Sequence, residues 1–166
     1  MAPKFILIRG NAASGKTSLA KLLQAELGEN TLLLSQDSLR RDMLHAHDGF
    51  DSPTIPLLLT LLEHGYRQCP VVILEGILHS GWHAPIFEKI AELYGEDCQA
   101  YYYYLSFEET VARHQTRAKS LEFGEEALRR WWLEKDYLTV IPETLFSANL
   151  SLSQAKQIIL ANLRAD

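Results

Sequence analysis

One octapeptide near the start, Gly10-Asn11-Ala12-Ala13-Ser14-Gly15-Lys16-Thr17, limits what this chain can fold into more than any other feature. It matches the pattern G-x-x-x-x-G-K-[ST], with an apolar run (5–8) before it and a helical pattern (18–27) after it. Glycines let the backbone wrap an anion with its N–H groups pointing inward, and the following helix adds its positive end. Gly10, Asn11, Ala12, Ala13, Ser14, Gly15, Lys16, Thr17 and Ser18 are therefore expected to cradle the phosphates of a nucleoside triphosphate. Lys16 is expected to reach the β- and γ-phosphates, and the Thr17 hydroxyl to ligate Mg²⁺. Chance supplies roughly 0.002 such matches in a chain of 166 residues, which disfavours a mere Gly-rich turn.

A length of 166 residues suits one domain, taken as 1–166. Neither apolar stretch, 5–8 or 55–62, is long enough for a signal peptide or a membrane span, and Pro56 and Thr60 interrupt the second. With Cys69 and Cys98 alone, a disulfide framework is not expected; both read as reduced, part-buried thiols. These features point to a cytoplasmic protein without membrane contact. A net charge of −5 weighs against a nucleic-acid partner, although one basic groove can coexist with an acidic surface.

Apolar β-prone runs alternate with helical patterns. Strands are expected at 4–9, 31–35, 71–75, 100–106 and 144–147. Helices are expected from the loop to Leu27 with Gly28 as its stop, then at 38–45, 54–66, 82–94, 107–116, 125–137 and 151–163. Residues 47–53 read as a loop and 118–124 as a mobile segment. Strands separated by helices imply βαβ units, and so an α/β architecture with a parallel sheet covered on both faces. Ligands of such sheets lie beyond the carboxyl ends of the strands.

At the end of the second strand, Asp37 is placed to face the γ-phosphate and accept the proton of an attacking hydroxyl. It also suits an N-cap, and the two roles are compatible. Arg40, one turn on, is expected to face the same cleft and hold the acceptor.

The loop, the D-x-x-R of Asp37 and Arg40, and a later arginine pair together resemble the small P-loop kinases, among them the zeta-toxin, chloramphenicol phosphotransferase and adenylylsulfate kinase-like proteins. That resemblance implies a three-layer P-loop fold with a five-stranded parallel sheet and a small lid at about 117–126. It further implies an ATP- and Mg²⁺-dependent transfer to a hydroxyl of a small molecule. Glu75 resembles the second acidic position of P-loop proteins, which holds the Mg²⁺ shell or orients the acceptor, and Gly76 leaves room for ligand. Arg113 and Arg117 stand where the resemblance puts charge-neutralising arginines at the base of the lid, beside His114 and Lys119. Residues 45–53 and 76–83 are expected to form the acceptor pocket, with His79, Trp82 and His83 open between lining it and packing on a helix. Arg129, Arg130, Trp131 and Trp132 are candidates for substrate contact, with at least one tryptophan expected in the core, whereas Tyr101 to Tyr104 read as ordinary strand residues.

A regulatory GTPase would need N-K-x-D, which is missing, and a nucleoside monophosphate kinase would need D-G-x-P-R where Glu75-Gly76-Ile77-Leu78-His79 stands. A polynucleotide 5′-hydroxyl kinase shares the loop and the D-x-x-R and remains an alternative, as does a non-kinase P-loop NTPase. A monomer and a homodimer are both compatible with the sequence.

Overall fold

A computed structural model describes residues 1–165, and the side chains of all of these except Ala118 and Lys119. Five strands, β1 (Lys4–Gly10), β2 (Thr31–Ser35), β3 (Val71–Gly76), β4 (Cys98–Tyr104) and β5 (Glu143–Ser147), form one parallel sheet in the order β2-β3-β1-β4-β5. Because side chains alternate along a strand, Phe5 and Leu7 of β1 point to one face and Ile6 and Ile8 to the other. Phe5 and Leu7 join a core with Leu58 and Leu62 of α3 (Thr54–Gln68) and with Ile86, Phe87 and Ile90 of α4 (Ala84–Tyr94). Ile6 and Ile8 join Leu19 and Leu23 of α1 (Lys16–Leu27) and Ile159 of α7 (Leu152–Ala165). A strand buried on both faces needs an apolar middle, as Phe5–Ile8 of β1 and Val71–Leu74 of β3 supply. Gly65 lets α3 lie close on the sheet, since a Cβ there would stand 2.6 Å from Val72 Cγ2.

Three helical expectations need correction. Segment 38–45 is not one α-helix: α2 (Gln36–Ser38) runs into a π-helical turn (Leu39–Met43). The expected helix 82–94 begins only at Ala84, with Pro85 in its first turn. The expected helix 125–137 stops at Trp131, so that α6 is Glu125–Trp131. Beyond it the chain is captured by tertiary bonds: Leu133 exchanges two hydrogen bonds with the Asn11 side chain, and Asp136 pairs with Arg9. Neither Trp131 nor Trp132 is buried. The remaining helix, α5 (Phe107–Gln115), is capped by Ser106, whose hydroxyl accepts from Glu109 N. At α7 the cap is reciprocal, with Gln154 N donating to Ser151 Oγ and Ser151 N to Gln154 Oε1.

Arg9 ends the apolar run of β1 fully buried, on the α3/α4 face. Its guanidinium meets Glu143 Oε1 and Asp136 Oδ2, each at 2.8 Å, and donates twice to the Leu78 carbonyl. Phe87 and Tyr102 rings flank it at 5.2 and 5.4 Å. Asp136 also accepts from the amide and hydroxyl of Ser80, and Glu143 from Leu138 N. Removing one partner of a buried ion pair leaves an uncompensated charge, a loss of about 3–5 kcal/mol. Arg9→Met is accordingly expected to lower the unfolding free energy by about 3–5 kcal/mol in urea titration. Adding Glu143→Gln should restore part of that loss; strict additivity of the two changes would contradict this account.

Candidate active site

The carboxyl ends of all five strands meet along one edge, and a cavity of about 740 Å³ opens there above the phosphate loop. Gly10 turns the chain with φ 147°, and a Cβ on it would lie 3.0 Å from Tyr103 Cβ and 3.2 Å from Ser14 Oγ. The loop therefore sits directly on β4, whose Tyr103 is opposite Gly10 in register and also lines the cavity. Ala13 adopts φ 61°, an unusual conformation for a residue with a side chain, within a loop whose amides must converge. Lys16 is buried and donates to the Asn11 carbonyl at 2.7 Å and Ser14 Oγ at 3.2 Å. Residues Ala12 to Ser18 line the cavity; Asn11 does not, because its side chain serves Leu133 instead.

Glu75, at the end of β3 and buried, accepts from Thr17 Oγ1 at 3.0 Å and Ser35 Oγ at 2.7 Å. Ser35 is its register partner on β2, so sheet pairing alone brings the hydroxyl within reach. A threonine hydroxyl with a carboxylate beside it is a hard-oxygen set, and Mg²⁺ takes only one or two such protein groups while keeping several waters. The residues thus fit a magnesium nucleotide.

Across the cavity, Arg40 Nη2 and Arg41 Nε share Asp37 Oδ1 at 2.8 and 2.9 Å. Arg40 also donates to the Ala46 carbonyl at 3.2 Å, while its Nε lies 3.8 Å from Asp48 Oδ2. Asp37, Arg40, Glu75 and Gly76 all line the same cavity as Lys16 and Thr17. His47, Asp48, His79 and Trp82 line it too, from the segments 45–53 and 76–83. His83 does not: it is fully buried, donating from Nδ1 to the His79 carbonyl at 3.2 Å, with Nε2 at 3.5 Å from Asp48 Oδ1.

The opposite wall carries Arg113, Thr116, Arg117, Phe123, Arg130 and Trp131. Arg113 belongs to α5 and Arg117 lies past its end, so their meeting at the cavity owes nothing to a shared helical face. The Arg113 guanidinium is fully engaged, with Glu109 Oε1 at 3.0 Å and the carbonyls of Ser14 and Ala148 at 3.1 Å each. No hydrogen bond or ion pair holds the Arg117 guanidinium among the described residues. His114 is buried, its Nε2 2.7 Å from the Phe123 carbonyl and its ring stacked on Phe123 at 4.5 Å. The Lys119 side chain lies outside the described residues. Sequence reasoning missed the Asn11–Leu133 clasp, Asp48 and the place of Tyr103, none of which has a local signature.

Solved structures carry the same fold at low identity. A gluconokinase from Sinorhizobium meliloti is 16% identical over 98% of this chain and 93% of that one, with a TM-score of 0.64. The Mycobacterium tuberculosis APS kinase CysC, in complex with AMPPNP and APS, is 17% identical over 99% of both chains, with a TM-score of 0.64. A chain of an RNA repair complex aligns over 78% of this chain and 42% of its own, at 17% identity and a TM-score of 0.56. The zeta toxin family matches residues 1–54, which carry β1, the phosphate loop, α1, β2, Asp37 and Arg40. No curated protein matches the chain significantly. The architecture, an α/β fold with five parallel strands, is the fold of the gluconokinase and the APS kinase structures. No helix among the described residues is long and apolar enough to cross a membrane.

Burial lowers the His83 imidazole below its ordinary value of 6.5, against the pull of Asp48 toward protonation. The folded state therefore keeps His83 neutral at a pH where the unfolded chain already takes up a proton. Its contribution to stability is complete above pH 6.5 and is lost as pH falls through and below that value. Urea titrations from pH 7.5 to 5 should show the stability advantage of the parent over His83→Gln shrinking toward the acid end. A constant difference would refute this.

Proposed function

We propose that this chain is a kinase that moves the γ-phosphoryl group of ATP to a hydroxyl of a small molecule. The observation that carries this reading is the placing of Lys16 and Thr17 on one wall of a cavity whose facing wall holds Asp37 in the grip of Arg40 and Arg41. Phosphoryl transfer needs little covalent help from a protein; it needs positioning and charge neutralisation around the phosphoryl group. The acceptor oxygen attacks the γ-phosphorus while its proton passes to the Asp37 carboxylate. The bond from that phosphorus to the β,γ-bridging oxygen breaks, and ADP departs with the electron pair.

Lys16 would exchange its contacts with Asn11 and Ser14 for phosphate oxygens. Thr17 and Glu75 would hold Mg²⁺, which supplies charge neutralisation at the β- and γ-oxygens. Arg117 and Arg130, on the wall formed by the segment 117–126 and α6, are assigned to the phosphates, and that segment to a closing lid. Arg113 is assigned to the same transition state through the loop, since it holds the Ser14 carbonyl. No basic guanine-recognition motif argues for GTP, and ATP is the assigned donor.

A polynucleotide 5′-hydroxyl kinase is the second reading, favoured by the likeness to a chain of an RNA repair complex. Against it stand the net charge of −5 and the lack of a long basic track with stacking aromatics. Efficient transfer from γ-labelled ATP to 5′-hydroxyl oligonucleotides, steeply weakened by salt, would decide for it.

The acceptor can be sought by thermal shift, using hydroxylated metabolites, nucleosides and antibiotics with Mg²⁺ and AMPPNP, because a ligand of the native state alone raises apparent stability. With the acceptor in hand, Lys16→Ala should lose nucleotide affinity or turnover while its circular dichroism is unchanged. Asp37→Asn should lose about 10²-fold or more in kcat at near-parental AMPPNP affinity, and full activity would reduce Asp37 to a helix cap. Arg117→Ala should lose kcat out of proportion to any rise in KM for ATP, as a group acting in the transition state must.

A further inference from the structure

Asp48, in the loop 45–53, sits among three side chains and is bonded closely by none of them. Arg40 Nε stands 3.8 Å from Asp48 Oδ2, His83 Nε2 stands 3.5 Å from Asp48 Oδ1, and Gln36 Nε2 lies 3.4 and 3.5 Å from the two oxygens. A settled N–H···O bond is about 2.9 Å long. Arg40 Nε and His83 Nε2 are both buried and have no hydrogen-bond partner among the described residues. Such atoms are uncommon in a folded protein, because burial strips away the water that would otherwise serve them. Two of them facing one carboxylate mark a contact that is one small movement short of completion.

The two nitrogens act on Asp48 in opposite ways. His83 Nδ1 donates to the His79 carbonyl, so the neutral ring turns the lone pair of Nε2 toward Asp48 Oδ1, acceptor against acceptor. Arg40 Nε always carries a proton, so Asp48 is pushed from the histidine and drawn to the arginine. The loop is already stitched to that residue twice: Ala46 N donates to the Arg40 carbonyl at 2.9 Å, and Arg40 Nη1 to the Ala46 carbonyl at 3.2 Å. A shift of Asp48 by about an ångström adds the third stitch. Nε and Nη2 share one edge of the planar guanidinium, so a bond at Nε fixes the plane that carries Nη2 to Asp37 Oδ1 at 2.8 Å. Arg41 Nε takes the same oxygen, which leaves Asp37 Oδ2 for the acceptor hydroxyl.

We infer that Asp48 is a positioning residue: it locks the Arg40 guanidinium through Nε, and Arg40 thereby holds the Asp37 carboxylate in the orientation a general base requires. This rests on the kinase reading for the role of Asp37 and adds a residue that acts through another side chain. Such geometry must hold to within about 0.5 Å, which one arginine bond to a carboxylate does not secure by itself.

The test compares the parent, Asp48→Ala and Asp48→Asn, each with Mg²⁺ and AMPPNP. Asparagine keeps an oxygen for Arg40 Nε, and its amide N–H meets the His83 lone pair, so this variant supplies what alanine removes. The Arg40 guanidinium is followed by ¹⁵N NMR, its signals assigned by their loss in Arg40→Lys. Rotation about Nε–Cζ, which exchanges the two Nη groups, should be about tenfold faster in Asp48→Ala than in the parent, with backbone amide signals outside residues 36–50 unchanged. Asp48→Asn should recover most of the difference. Hydrolysis of γ-labelled ATP, with water in the acceptor's place, should show a kcat about tenfold lower in Asp48→Ala at parental KM, and Asp48→Asn should again recover most of the loss.

Equal Nη exchange in the parent and Asp48→Ala, equal hydrolysis by the two (none included), a rise in KM with kcat intact, or no recovery in Asp48→Asn would each overturn the inference. AMPPNP titrated alone separates the two levels. If it binds and Arg40 turns as freely in the parent as in Asp48→Ala, only the positioning role is wrong; if it does not bind, the kinase reading falls and the inference with it.

Discussion

A single buried charge organises this fold. Arg9 has no water to solvate its guanidinium, so the chain must bring carboxylates and a carbonyl to it, and it does so from three distant segments. The Leu78 turn after β3, the stretch around Asp136 after α6, and the first residue of β5 converge there. The first two of those segments carry residues that line the cavity, His79 and Leu133. A buried ion pair is poor evidence of net stability, because desolvation cancels much of the attraction. What it supplies here is geometry: the few arrangements that make all four guanidinium hydrogen bonds fix where the loops above the sheet can start. Since the next residue is Gly10, the base of the phosphate loop inherits that fixity.

Much of the fold was legible because β1, β3 and α1 obey simple periodicities. A strand buried on both faces must read as an unbroken apolar run, and Phe5 to Ile8 and Val71 to Leu74 do. Glycine punctuated α1 and α4 where expected. The failures share one cause. Residues 132–137 have ordinary helical sequence, yet Leu133 and Asp136 make tertiary bonds that an α-helix would forbid. The partners, Asn11 and Arg9, lie more than a hundred residues away, and no local pattern encodes such a bond. The π-helical turn at Leu39–Met43 likewise sits where Arg40 and Arg41 both reach back to Asp37.

At the candidate site, the residues drawn from motifs converge on one cavity because the motifs are adjacent to strand ends, and strand ends are where the topology points. Glu75 was legible as a carboxylate after four apolar residues, and its register with Ser35 follows from the sheet. Arg113 was legible as a cation near the loop 10–17 but not as a clamp on two carbonyls, a role set by where the Ser14 and Ala148 backbones happen to pass. Asp48 was hidden because a loop aspartate carries no periodic signal, and its place emerges only from the packing of His83 beneath it.

The clasp between Asn11 and Leu133 has a mechanical meaning. The amide donates and accepts at once, as a strand neighbour would, so the second residue of the phosphate loop is riveted to the chain two positions beyond the end of α6. Trp132 alone separates that bond from Trp131, which lines the cavity, so the floor of the cavity and this part of its outer wall are one connected piece of backbone. A displacement of the loop at Asn11 is felt at the wall directly, without a separate relay of side chains.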